Sequence, residues 1–409
     1  MVRPERRTRG DLLAAAAIVA VVATVIAAFW WFSSARATTL RSADGPAPSV
    51  TAAQAVPQTL RQLWTAASGK TPTPVVVGGT VVTGDGRAMA GLDAQTGAQR
   101  WLYARDAELC AVSYVYDLAV AVYPDRRGCG QVSGVKADTG SRGPSRTSYA
   151  DRQVVVTSDG TAVLSFGPTR LELWRSDLVR MLSYGEIDAR VKPANTRLGR
   201  GCTLMSAAAS ESAAAVLEVC PGGNELDLKL IKPAKEEDEP ETKKVDLPGV
   251  APDSDARVLA VAGTTTAVYL PTPEPRVAVY DETGTQVSST PLGGAPTVGA
   301  APAVSRTADG YTWWSGSAVL VFDSALGYRY RVEGAGERRP VGPATEMAGR
   351  LLVPVAGGIA VCDRSDGRFE RLIALSHPPG SGPVRPVAIG ATLIEQRDGT
   401  VAAFGPTPR

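Results

Sequence analysis

The sequence predicts an all-β fold, a β-propeller of repeated four-stranded antiparallel sheets behind a single transmembrane helix, on three observations. Residues Leu12 to Phe32 form an uncharged apolar run. The rest of the 409-residue chain is rich in Val, Thr and Ala and contributes to totals of 42 Gly and 30 Pro, the composition of many short strands joined by tight turns. A turn-centred unit recurs along it, and about 350 folded residues exceed one ordinary core, which favours a repeat architecture.

The apolar run has 21 positions. At 1.5 Å per residue such a helix reaches about 31 Å, the thickness of a bilayer core. Trp30 and Trp31 close it where an interfacial aromatic belt belongs. Arg3, Arg6, Arg7 and Arg9 precede it, so residues 1–11 are expected in the cytoplasm and the chain after the helix (12–32) outside. A cleaved signal peptide is the rival reading, because Ala35-Arg36-Ala37 has the small-x-small form of a cleavage site; the run is longer than the ~7–15 residues of a signal h-region. Both readings export the remainder. Residues 33–57, rich in Ser, Ala, Thr and Pro, read as a flexible spacer, and 58–409 as the propeller.

The clearest unit runs from Val75 to Tyr103. Strands at Val75–Val77 and Thr80–Thr83 flank a Gly-Gly turn, a third ends at Leu92-Asp93, and a fourth carries Trp101. Asp93 can accept turn N–H groups, Gly97 can take a positive φ, and Trp101 can wedge between sheets. The string LDAQTGAQRW resembles the repeat of the PQQ-like (quinoprotein alcohol dehydrogenase-like) propellers, whose signature is L-D-A-x-T-G-x-x-x-W. Echoes follow at Asp138 and Gly140, Asp281 and Gly284, Asp323, and Asp363, at intervals of 45, 143, 42 and 40. The long interval holds about three periods, with Leu171–Leu173 and Leu228–Leu230 as degenerate third strands. The resemblance covers about residues 60–409 and implies an eight-bladed ring, with seven blades as the alternative. The chain ends in a strand, turn and strand (394–404) without a Trp-bearing fourth strand, and the domain begins with Leu60-Arg61-Gln62-Leu63-Trp64, which looks like that missing strand. Joining the two would close the ring and leave no long edge.

Five cysteines in an exported domain suggest two disulfides and one thiol. Cys202 and Cys220 are symmetric about Ser210-Glu211-Ser212, so they should face each other across a hairpin. Cys110 and Cys129 are similarly spaced but miss the turn expected at Asp117, so this bridge should tie a strand to a following loop. Cys362 sits in an apolar strand and should stay a buried thiol.

The remaining features point away from catalysis. His377 is the only histidine, which excludes mechanisms built on paired His; in Ser376-His377-Pro378-Pro379 it reads as a solvated loop residue. No G-x-S-x-G and no vicinal Cys pair occurs. The calcium-binding and catalytic acids of quinone-dependent members have no match, so no cofactor and no metal is expected. Gly84-Asp85-Gly86-Arg87 and Gly357-Gly358 lack Walker spacing and read as hairpin turns. Eight of the ten residues 235–244 are charged, reading as a solvated loop rather than a partner-docking strip. Trp313 and Trp314 are adjacent on a strand, so at most one can be core. A formal charge of +2 offers no nucleic-acid surface. Together with the resemblance, this favours a membrane-anchored, extracytoplasmic, non-enzymatic scaffold that binds a protein or envelope partner. The alternative is an axial-site ligand sensor or quinone-dependent oxidoreductase; a structural ectodomain of a larger membrane complex is the third reading.

Overall fold

Short apolar runs of period two, broken by Gly, Asp and Pro, give short paired strands rather than helices. A computed structural model of the chain bears this out and describes residues 8–31, 33, 36–187, 189–297, 299, 301–407. One α-helix, Arg9–Trp31, has none of its residues buried by the rest of the chain. Eight antiparallel sheets follow as the blades of a propeller. From innermost to outermost strand, blade one runs from Val75–Val77 to Gln99–Arg105, and blade two from Ala111–Val115 to Arg142–Thr147. Blade three runs from Val155–Ser158 to Arg180–Gly185, and blade four from Thr203–Ala209 to Glu241–Asp246. Blade five runs from Arg257–Ala262 to Gln286–Pro291, and blade six from Ala303–Thr307 to Tyr328–Val332. Blade seven runs from Thr345–Met347 to Phe369–Ala374. The degenerate stretches Leu171–Leu173 and Leu228–Leu230 are indeed third strands, within Arg170–Trp174 and Asp227–Lys232. We call upper the face that carries the links between blades and the turns between second and third strands.

Blade eight closes the ring. Its three C-terminal strands end with Thr400–Pro406, which pairs with Leu60–Ala67 from the other end of the chain, Leu60 opposite Pro406 and Ala67 opposite Thr400. The core is a set of apolar layers between neighbouring blades. Leu217, Leu228, Val258, Val268, Leu270 and Tyr280, for example, join blades four and five. Of the tryptophan pair, Trp313 is buried against Tyr269, ring centroids 5.7 Å apart. Trp314 turns the other way, half-buried towards blade seven, and donates to the Pro340 carbonyl at 3.1 Å.

The spacer expected from composition is laid against the propeller instead. Thr38–Arg41 adds a fifth strand to blade one, Thr38 opposite Arg105 and Arg41 opposite Leu102. Beyond it the Ala43 N–H donates to the Thr139 carbonyl at 2.8 Å, and Arg100 donates to the Gly45 carbonyl at 2.9 Å. Val56 is buried among Met347, Leu352 and Phe404, and Arg371 donates to the Val56 and Pro57 carbonyls. Low-complexity composition describes an isolated segment; these backbone and side-chain hydrogen bonds come from residues far away in sequence.

Both disulfides are formed, Cys110–Cys129 and Cys202–Cys220, and Cys362 is a buried thiol. The second lies one step beyond the pair Thr203 and Val219, directly across the hairpin. The first differs from expectation: Cys110 precedes the strand Ala111–Val115, and Cys129 lies within the strand Gly128–Lys136. A hairpin sum locates only the partner across one turn, and this bridge passes over the intervening strand. Replacing Cys202 and Cys220 by serine should cost about 3 kcal/mol by loop entropy. The urea midpoint of the propeller should fall accordingly; an unchanged midpoint would mean that the bridge adds nothing.

Candidate functional site

The repeat positions make a joint between blades. In blade one, Asp93 Oδ1 accepts from the N–H groups of Gln95 and Thr96 and from the Thr96 hydroxyl, at 2.8–3.0 Å. Asp281 and Asp363 do the same for Thr283 and Ser365, and Asp323 for Ala325 and Gly327. Asp138 accepts from the Thr139 hydroxyl at 3.1 Å. Gly97, Gly140 and Gly284 all have positive φ. The turn of one blade then receives a ring from the blade before. Trp101 donates its indole N–H to the Ala137 carbonyl at 2.7 Å, and a β-carbon on Gly140 would lie 2.3 Å from it. Trp64 donates to the Ala94 carbonyl at 3.1 Å and covers Gly97 in the same way. Tyr330 donates to the Arg364 carbonyl and covers Gly367.

Not every joint uses a ring: blade two sends Arg146 over Trp174, and blade four covers Gly284 with Val245 and Lys243, whereas blade five offers only short side chains there. In blade one, Trp101 pairs with Gly91 and Tyr103 with Met89, and both rings fill the space towards blade two. The corresponding positions in blade five, by register from the turn aspartate, are Ser288 opposite Val279 and Thr290 opposite Val277. Val277 and Val279 face blade six, so cross-strand pairing turns Ser288 and Thr290 the same way. A hydroxyl and a small side chain cannot span that distance. The result is a cleft of about 690 Å³ between blades five and six, bordered by Thr290, Leu292, Ser315, Leu320, Tyr328 and Arg331. Arg331 pairs with Glu333 at 2.9 Å on its rim. The Thr297 N–H donates to the Ser315 carbonyl at 2.9 Å, and at Gly316, with φ +97°, a β-carbon would meet Thr297 at 2.8 Å, so this wall of the cleft is closely fitted. Beside it runs the outer strand Gln286–Pro291, exposed at every position except Thr290, with Val287 at 56% exposure. Sequence reasoning weighed the residues that keep the repeat and passed over the unit that loses it. The signal was there: Asp281-Glu282-Thr283-Gly284 is followed by no aromatic residue before Pro291.

Elsewhere the side chains with chemistry are paired. His377, expected in solvent, is buried: Nδ1 lies 2.9 Å from Glu395 and Nε2 2.7 Å from the Val355 carbonyl. Burial alone would lower its pKa, but the hydrogen bond and charge of Glu395 outweigh it and raise the pKa above the ordinary value. The charged stretch 235–244 is half strand, within Glu241–Asp246, and half clamp. Asp238 accepts from Asn195 and the Val191 N–H, and Glu237 pairs with Arg180. Among the described residues, one group of Cys, Asp, Glu or His has ligand-like spacing, Cys202, Glu218 and Cys220, and its two sulfurs are joined to each other. Burial holds the Cys362 thiol up at about 11. Around the ring axis, Arg306 of blade six reaches Asp159 of blade three, 3.7 Å from its carboxylate. Arg385 of blade eight lies 3.4 Å from the carbonyls of Ala301 and Pro302, which lead into blade six.

No protein-family model matches the chain, and no curated protein sequence is similar to it. Solved structures with a similar fold include the dihydro-heme d1 dehydrogenase NirN, at 14% identity and TM-score 0.48 over 85% of this chain and 75% of that one. Apo AztD from Citrobacter koseri gives 11% identity and TM-score 0.47 over 82% of this chain and 91% of that one. PorZ, a surface component of the type-IX secretion system of Porphyromonas gingivalis, gives 12% identity and TM-score 0.45 over 82% of this chain and 42% of that one. The likeness is one of fold alone.

Proposed function

We propose that this chain is a membrane-anchored extracytoplasmic scaffold that holds an extended segment of a protein partner in the cleft between blades five and six. The observation that carries this reading is the missing ring at Ser288 and Thr290, which opens a groove alongside an exposed strand edge. Exposed edges bind extended chain by adding a strand, with backbone hydrogen bonds for affinity and neighbouring pockets for side-chain choice. Blade one already accepts such a strand from Thr38–Arg41. Seryl hydroxyls and the Arg331–Glu333 pair suit a polar peptide better than a flat aromatic cofactor. The exposed apolar helix and the two disulfides support an anchored domain outside the cytoplasm.

A photo-crosslinking residue at Val287 tests this in cells expressing the full chain. The expected result is a discrete protein adduct that disappears when Ser288→Trp and Thr290→Tyr restore the rings, with the melting temperature unchanged or raised. An adduct that survives the filled cleft, or no adduct at all, would refute it.

A further inference from the structure

Composition gives the propeller a spacer of about 25 residues, with a root-mean-square reach near 5–6 Å times √n, and a far longer maximum. The structure removes most of that freedom. Strand pairing begins at Thr38, seven residues on from the end of the helix at Trp31. Seven residues fully extended span at most about 25 Å. From Thr38 to Leu60 the chain is held at intervals by the contacts of Ala43, Gly45, Val56 and Pro57 with blades two, one and seven. It cannot serve as slack without breaking them.

The register also fixes where the tether arrives. Thr38 lies opposite Arg105, the last residue of the outer strand of blade one, at its upper end. The Arg105 N–H donates to the Arg87 carbonyl, so the turn carrying Arg87 is beside the point of attachment. Arg36 and Arg87 are exposed there, and Arg36 stacks over the Trp31 ring at 3.7 Å. Asp85, Asp106 and Glu108 are the exposed acids in the same region, and Glu108 pairs with Lys70 at 2.8 Å. Cations this close to an interface favour an anionic surface.

From this geometry we propose that the propeller rests on the lipid surface through the upper rim of blade one, around Arg36 and Arg87. In a ring of eight, blade five stands opposite blade one. The cleft between blades five and six is therefore carried on the side away from the bilayer, where a partner can reach it. This rests on the anchored reading proposed above, and the experiment separates the two.

Full-length protein is reconstituted into phosphatidylcholine vesicles containing phosphatidylglycerol and a nitroxide-headgroup lipid. A fluorophore is attached at Arg87→Cys in one sample and at Val287→Cys in another; the native cysteines are bridged or buried. The expected result is several-fold stronger quenching at 87 than at 287. A Gly/Ser insert of about 20 residues between Ala37 and Thr38 should abolish the difference while the protein still floats with the vesicles. Equal quenching at both sites without the insert, in protein that floats, would overturn the stance alone. Protein that does not float would overturn the anchor and the stance together. Removing the charge with Arg36→Gln should weaken quenching at 87 in the anionic vesicles; the tether alone should preserve it in neutral ones.

Discussion

Glu172→Gln should destabilise the propeller by about 3–5 kcal/mol, the cost of leaving buried charge without its partner. The Glu172 carboxylate is buried between blades two and three. Arg170 and Arg180 pair with one oxygen, the second at 2.8 Å; Arg146 lies 3.5 Å from the other, which also accepts from the Trp174 indole at 2.8 Å and Ser148 at 3.1 Å. Removing the charge leaves three guanidiniums with only Glu237, on Arg180, to balance them. The pH dependence follows the same geometry. Burial by itself would push the carboxyl up, but Arg170, Arg146 and Arg180 overcome it and bring its pKa from 4.5 down to about 2. A depressed pKa means stability that is fully present above the unfolded value and is lost as pH falls. Wild-type melts should therefore decline between pH 4.5 and about 2, and the Gln variant should decline less over that interval. A variant with wild-type stability at pH 7 would show that the cluster contributes no net energy.

Trp101→Ala should cost a similar amount, about 3–5 kcal/mol, through lost burial and the cavity left behind. The ring is 1% exposed, and a β-carbon on Gly91 or Gly140 would approach it to 2.1 and 2.3 Å. No neighbour can collapse into the gap, because both glycines lack the atoms to fill it, and the Ala137 carbonyl would lose its indole donor. Thermal unfolding of the propeller checks this. Ser288→Ala, at the same register position in blade five, should change the midpoint little, since Ser288 is exposed. Comparable losses in the two variants would mean that blade joints do not depend on their rings.

What was legible in the sequence is what acts within a few residues or through strict symmetry. The Asp93 carboxylate binds N–H groups two and three residues on, so its turn could be read from L-D-A-x-T-G directly. Helix Arg9–Trp31 needs no partner, because every backbone group inside it is satisfied within the segment. The hairpin near Glu211 sets Cys202 against Cys220: the pairs next to the turn are centred half a residue beyond Glu211, and the bulge between Leu204 and Ser206 restores the symmetry at the cysteines. Ring closure was legible because each terminus lacked what the other supplied.

Tertiary structure alone decided the contacts whose partners are distant along the chain. His377 was expected in water because its neighbours are polar and Pro-rich; the Glu395 carboxylate and Val355 carbonyl that bury it lie 18 and 22 residues away. Arg371 holds Val56 across 315 residues, which turns an apparent spacer into part of the propeller. Glu172 gathers guanidiniums from two blades, and neither strand on its own records that they converge. The cleft is the extreme case: Ser288 and Thr290 are ordinary strand residues, and they matter only because the ring places blade six where a tryptophan and a tyrosine would otherwise fill the joint. Local hydrogen bonding and chain symmetry are written in the order of residues, whereas a gap between two sheets exists only once both sheets are in position.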